Sequence, residues 1–244
     1  MEWRERDGVR WLQAGLDGAE AAFSTRVGGD SGPPYESLNV AVKTGDDPDA
    51  VRGNRRRLSG ALGIEPADVL MAHQVHGDRL MRHSSRQRPQ IWSEAVRSPE
   101  DADAHATAEA GLVPLVMVAD CLPVALAGPD GVAMAHCGWR GLAAGLAASA
   151  AAEVKAAAAA IGPGIGPCCY EVGDEVLSTF ASFPGVARGR MLDLTAVARL
   201  QLEGAGVPEI EASGLCTSCE VELFYSHRRD GERTGRQAGL VWRS

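Results

Sequence analysis

Residues 116–141, VMVADCLPVALAGPDGVAMAHCGWRG, constrain the fold of this chain more than any other stretch. They read as strand, turn, strand and helix start, because two apolar runs of strand length are joined by GPDG, whose glycines and proline mark a turn. With Pro129 and Asp130 as the central turn residues, Gly128 lies opposite Gly131. His136 then faces Pro123, and Cys121 faces Gly138. Side chains two apart on a strand share a face, so Cys121 and His136 fall on one side as diagonal neighbours, about 7–8 Å apart at the backbone. A one-residue slip would send one of them to the opposite face.

Around this hairpin the chain shows no linker, repeat or break in composition, and 244 residues suffice for one sizeable core. A single domain over residues 1–244 is expected. Residues 47–62 predict a helix with Asp47 as N-cap, Pro48 in the first turn and Val51, Leu58 and Leu62 on one side. Further helices are expected at 142–160, 174–183 and 193–205. Strands are expected at 67–72, 75–83, 112–119, 122–127, 132–137, 208–212, 221–226 and 237–242. Strands and helices interleave without a steady βαβ rhythm, so the expected class is α+β, with mixed β-sheets covered by helices.

Composition excludes several roles. A formal net charge of -8 argues against nucleic acid, whose phosphates require clustered Lys and Arg; the short basic pieces Arg52–Arg57 and Arg228–Arg229 read as solvated helix face or loop. The longest apolar stretches are too short to span a bilayer or carry Glu153 and Lys155, so no membrane partner is expected. MEWRERDGVRWLQAG at the start mixes charges and has no apolar signal core, which points to a cytoplasmic protein. Six cysteines are then expected as reduced thiols, each with a packing or chemical role.

The Cys121–His136 pair suits a metal. Zinc bonds of about 2.3 Å to sulfur and 2.0–2.1 Å to nitrogen would close the gap, and HQVHG at 73–77 offers His73 or His76 as a third ligand. Three protein ligands and one open position are the arrangement of a catalytic zinc. Spacing alone also allows a reduced core cysteine beside two hydrogen-bonded histidines, or a Cys121 nucleophile with His136 as base. CTSC at 216–219 lacks a second pair at zinc-finger spacing and reads as packing or an occasional disulfide. The adjacent Cys168 and Cys169 are too close to chelate one metal comfortably. They lie in IGPGIGPCC, a loop whose backbone N–H groups could approach an anion or ribose. Arg140, at the strand-to-helix junction, could grip phosphate bidentately or bridge to a carboxylate. Asp120 reads as structural.

Several motifs carry a family resemblance. QVHG (74–77), ADCLPV (119–124) and AHCGWRG (135–141) resemble the signature of the bacterial laccase-domain proteins. These are also called multicopper polyphenol oxidoreductases, zinc-dependent purine nucleoside phosphorylases with adenosine deaminase activity and, in some members, peptidoglycan editing factors. FSTRVGGDSGPPYESLN, GDDPDAVRGNRRRL, ADAHAT, IGPGIGPCCYEVGDEV and CTSCEVELFYSHRRDGERTGRQAGLVW follow in the family's order, so the resemblance spans nearly the whole chain. It implies a metal held by His76, Cys121 and His136, and phosphate or ribose contacts from Arg26, Asn39 and Arg140. Cys137, where the family usually has alanine, is expected to pack in the core. His73 is expected beside the site or at the surface.

The function implied is cleavage of adenosine, inosine, guanosine or methylthioadenosine by phosphate to base and ribose 1-phosphate, with adenosine deamination on the same Zn2+. The alternatives are a copper-dependent polyphenol oxidase and an editing factor for peptidoglycan precursors. Copper fits less well, because a multicopper oxidase needs several H-x-H pairs and this chain has six histidines and no such pair. The nucleobase-deaminase signature of H-x-E with P-C-x-x-C is also missing, since CTSC follows Leu215. Oligomeric state is left open.

Overall fold

The computed structural model describes residues 1–84 and 91–243. In chain order the strands are β1 (Glu2–Arg6), β2 (Val9–Leu16), β3 (Ala19–Ser24), β4 (Val69–Leu70), β5 (Leu80–His83), β6 (Ala104–Thr107) and β7 (Val113–Val118). They continue as β8 (Leu122–Gly128), β9 (Gly131–Cys137), β10 (Ala158–Ile161), β11 (Ala187–Arg188), β12 (Met191–Leu192), β13 (Glu209–Ala212) and β14 (Gln237–Trp242). The helices are α1 (Pro48–Leu62), α2 (Trp139–Ala143), α3 (Leu146–Val154), α4 (Asp174–Thr179), α5 (Leu194–Gly204) and α6 (His227–Asp230). One six-stranded sheet runs β1-β2-β3-β14-β7-β4 and a second runs β13-β10-β8-β9-β6-β5. Each holds parallel and antiparallel pairs, so the expected mixed-sheet class stands.

The two sheets pack face to face through small side chains. Ala14, Ala21, Phe23, Val116 and Val118 of the first sheet meet Ala125, Ala127, Val132, Met134 and Ala160 of the second. The outer face of the first sheet is covered by Leu58 and Ala61 of α1; that of the second is covered by Leu146, Ala147 and Ala150 of α3 and Val197, Ala198 and Leu202 of α5. Four layers result, helix, sheet, sheet and helix, and they explain why β8 and β9 are apolar without alternation: both of their faces are buried. Gly239 marks how closely the sheets approach, since a Cβ there would sit 2.6 Å from that of Pro123.

The hairpin forms in the expected register, with Gly128 opposite Gly131 and Pro123 opposite His136. Helix α1 forms as expected, with the Asp47 carboxylate accepting from the Asp49 N–H and Gly63 closing the helix at φ 69°. Elsewhere the structure corrects the reading. Residues 142–160 break at Gly145, which takes φ 80°, and again at Lys155, and their end becomes β10, hydrogen-bonded between β8 and β13. Strand β5 begins only at Leu80, because His76 turns the chain at φ 61°. No strand forms at 221–226, where turns lead into α6. The hairpins β1–β2 and β2–β3 turn on Asp7-Gly8 and Asp17-Gly18, the Asp-Gly signal of a tight hairpin. Arg55, expected on a solvated face, is buried: its guanidinium stacks 4.6 Å from the Trp92 ring centroid and donates to the carbonyls of Val40, Ile91 and Trp92.

Candidate metal centre

The hairpin and one loop assemble the site. His136 is the penultimate residue of β9, Cys121 lies one residue before β8, and His76 comes from the turn after β4. One ligand-capable atom from each lies within 4.8 Å of the others. The imidazoles meet edge to face, with centroids 4.8 Å apart at 68°. His73 is not in this group; its Nδ1 lies 2.8 Å from Asp101 Oδ1, and it lines the cavity beside the site. Cys137 points the other way, into the packing beneath α3, as expected for the neighbouring strand position.

Asp103 organises the group and was not singled out in the sequence, although it lies within ADAHAT. This carboxylate is fully buried at the edge of β6. Its Oδ1 meets His136 Nδ1 at 2.8 Å and accepts from the His76 N–H at 2.9 Å, while Oδ2 accepts from the N–H groups of Val75 and Gly77. A single acid therefore shapes the left-handed His76 turn and fixes the His136 ring, leaving Nε2 free. Burial alone would raise the Asp103 carboxyl, but the His136 hydrogen bond and charge and the N–H groups of Gly77 and Val75 outweigh it and hold it below the ordinary range.

Cys121 and His136 are electrostatically matched. Burial would push the Cys121 thiol up, yet His136 and then His76 more than offset this and bring it down to about 6. Burial likewise opposes charge on His136, but Cys121 and then Asp103 raise it to about 9. The thiolate is thus stabilised inside the fold, and a thiolate is the form in which cysteine binds metals. Gly138 leaves the space clear, since a Cβ there would stand 2.9 Å from Cys121 Sγ and 3.5 Å from His76 Cδ2.

The cluster opens into a cavity of about 540 Å³, within the range of small-molecule sites. Its walls include Met71, Met117, Trp139, Ile165 and Tyr170, which suits a flat apolar group. Among the described residues its polar lining is cationic, with Lys43, Arg55, Arg97, Arg140, Arg228 and Arg236 against one carboxylate, Asp120. That carboxylate is already engaged by the Thr217 hydroxyl at 2.7 Å and the Arg228 N–H at 2.6 Å, in keeping with its structural reading. Arg140 stacks on Trp139 and Arg228 on Tyr170. Burial and then the Arg97 charge hold the Lys43 ammonium below its ordinary value.

The other two expected contacts lie elsewhere. Arg26 donates to the carbonyls of Glu36 and Val221 and stacks on Tyr225. Asn39 is fully buried, donating to Ala41, Thr44 and Asp46 and accepting from the N–H groups of Ala41 and Arg236. Neither lines the cavity. Of the other cations that line it, Arg55 and Arg228 belong to the basic pieces expected to be solvated, whereas Lys43, Arg97 and Arg236 are single basic residues with no local signal.

Comparison with known proteins places the chain in a family. A family profile described as multi-copper polyphenol oxidoreductase laccase matches residues 20–244. The chain belongs to this laccase family. Among its relatives, the purine nucleoside phosphorylase YfiH of Escherichia coli K12 is 38% identical over 239 residues, covering 92% of this chain and 94% of the relative. The purine nucleoside phosphorylase SCO2081 of Streptomyces coelicolor is 40% identical over 242 residues, covering 93% and 96%. The crystal structure of YlmD from Geobacillus stearothermophilus superposes with a TM-score of 0.88 at 36% identity, covering 98% of this chain and 97% of that one. Membership of the laccase family, with a Cys/His cluster able to hold a metal, supports catalytic potential.

Proposed function

We propose that this laccase-family chain is a metal-dependent purine nucleoside phosphorylase that also deaminates adenosine. The observation that carries the reading is the concentration of six cationic side chains, among the described residues, around a His/Cys cluster in a chain of net charge -8. Such a cavity favours a dianionic reactant such as phosphate. Its apolar and aromatic walls supply a complementary surface for a purine. The names of the relatives in Escherichia coli and Streptomyces coelicolor support the same substrate class.

His76, Cys121 and His136 would hold the metal. The donor set fits zinc: two imidazoles, one thiolate stabilised by its surroundings, a carboxylate behind one histidine and a glycine that leaves room. Bound there, zinc would supply Lewis acidity toward phosphate or water.

The chain's own groups set up the rest. Arg140, Arg97, Lys43 and Arg228 receive and orient phosphate, while Tyr170 and Trp139 flank the base. In phosphorolysis a phosphate oxygen attacks C1′, the C1′–N bond breaks, and its electron pair leaves with the base, which then gains a proton. In deamination water replaces the amino group of adenosine, giving inosine and ammonia.

The test is to incubate zinc-loaded protein with inosine or adenosine and phosphate. Hypoxanthine or adenine must appear in equal amounts with ribose 1-phosphate; absence of both products overturns the reading. Stoichiometric copper in protein purified without added metal, with oxidation of a phenol, would instead identify the copper oxidase.

A further inference from the structure

Two sequence features not used by the proposed reaction come together in the fold. The loop 162–171 carries Cys168 and Cys169, and the loop 213–220 carries Cys216 and Cys219. About fifty positions apart in the chain, their four sulfur atoms all lie within 4.8 Å of one another. Cys219 Sγ is 3.5 Å from both Cys168 Sγ and Cys169 Sγ. A tetrahedral zinc with bonds of about 2.3 Å to sulfur has sulfur–sulfur edges of roughly 3.8 Å. A disulfide would need about 2.05 Å. The observed spacing is that of a tetrathiolate cage.

The backbone is shaped to make it. The N–H groups of Cys169 and Tyr170 both donate to the Gly166 carbonyl, a tight turn that lets two adjacent cysteines reach the same centre. On the other loop, the N–H groups of Cys219 and Glu220 donate to the Cys216 carbonyl, folding C-x-x-C back on itself. The loops are tied by the Gly164–Cys216 bridge and by the Thr217 N–H on the Gly164 carbonyl. The Gly166 N–H points at Cys216 Sγ at 3.2 Å, a hydrogen bond that favours a thiolate. A Cβ on Gly166 would stand 3.2 Å from Cys168 Sγ and 3.5 Å from Cys216 Sγ, so glycine keeps the cage open.

We propose that Cys168, Cys169, Cys216 and Cys219 form a second metal site, a closed four-thiolate cage for a zinc-like ion, separate from the His76–Cys121–His136 centre. Four protein ligands leave no open position, so the ion is structural. The two loops it clamps also carry Ile165 and Tyr170 of the cavity wall and Thr217, which holds Asp120 beside Cys121. The cage thereby braces one side of the reaction cavity. It does not depend on which reaction the cavity runs.

The test is metal analysis of the full chain, expressed with zinc and purified without chelator. Wild type is expected to hold two zinc ions per chain. The Cys216→Ser/Cys219→Ser variant should hold one, and so should Cys121→Ser. After cobalt replacement, Cys121→Ser should keep intense thiolate-to-cobalt charge-transfer bands typical of four sulfurs. Should the double variant fail to fold, Cys168→Ser, an exposed position, should release one zinc to a chromophoric chelator at least tenfold faster than wild type. Equal zinc content and release in wild type and cage variants would overturn the proposal. So would a disulfide among these four cysteines in protein kept under reducing conditions.

Discussion

Asp103 Oδ1 and His136 Nδ1 lie 2.8 Å apart across thirty-three positions of sequence, both side chains shut away from solvent. The same carboxylate also accepts the three N–H groups that shape the His76 turn. Two of the three donor atoms are thus positioned by one acid. Asp103→Asn should lower metal affinity and kcat/KM together by about 10–100-fold, the usual cost of losing a partner behind a ligating histidine. Chelator competition and steady-state kinetics on the same preparation check it; unchanged affinity would remove Asp103 from the site.

In metal-free protein the Cys121 thiol titrates at about 6, because His136 and His76 outweigh the penalty of its burial. Only the thiolate alkylates, so modification of Cys121 by iodoacetamide should rise through pH 6 and level off above about pH 7. Cys137, raised far above the ordinary range by burial, stays inert. Peptide mapping across pH reads both sites, and added zinc should protect Cys121. An inflection near the ordinary thiol value of about 8.5 would contradict the electrostatics of the site.

Gly138 has φ -79° and ψ 172°, a backbone conformation open to alanine, so Gly138→Ala isolates one steric contact. Its Cβ would press on Cys121 Sγ from 2.9 Å. Metal affinity should fall at least tenfold while the unfolding midpoint of the metal-free protein shifts little. A loss of stability with intact affinity would place the role of Gly138 in folding instead.

Arg140→Ala and Arg97→Ala should each raise KM for phosphate about tenfold, roughly 1.4 kcal/mol, and affect nucleoside KM less. Asn39→Ala should behave otherwise. Its amide links Ala41, Thr44 and Asp46 to Arg236, the residue before β14, so its loss leaves buried polar groups unpaired and should cost about 1–3 kcal/mol of stability. Phosphate kinetics and denaturant titrations of all three variants separate the roles; an Asn39→Ala effect confined to KM would return it to the substrate contacts.

Part of this protein is written in local pattern. The GPDG turn sets the β8–β9 register because side-chain direction alternates with period two, which is why Cys121 and His136 could be paired before the fold was known. The Asp47 cap and Pro48 likewise mark α1, because capping is a contact within one helical turn. The two Asp-Gly hairpins β1–β2 and β2–β3 are likewise a matter of local turn chemistry. The alanine run at 142–160 misled, since alanine favours helix only until tertiary hydrogen bonding draws its last residues between β8 and β13.

The amino-acid sequence alone determined the central hairpin, the first helix and the pairing of Cys121 with His136, since these depend on periodicity and turn chemistry within a few residues; His76 joined them there through the family motifs. The tertiary structure decided the rest: Asp103 behind the histidines, six cations gathered from across a net-negative chain, and four thiols from two loops. Those groups meet only because two sheets stack through small side chains between helical layers. That packing brings loops distant in sequence into contact, and no local pattern encodes which loops become neighbours.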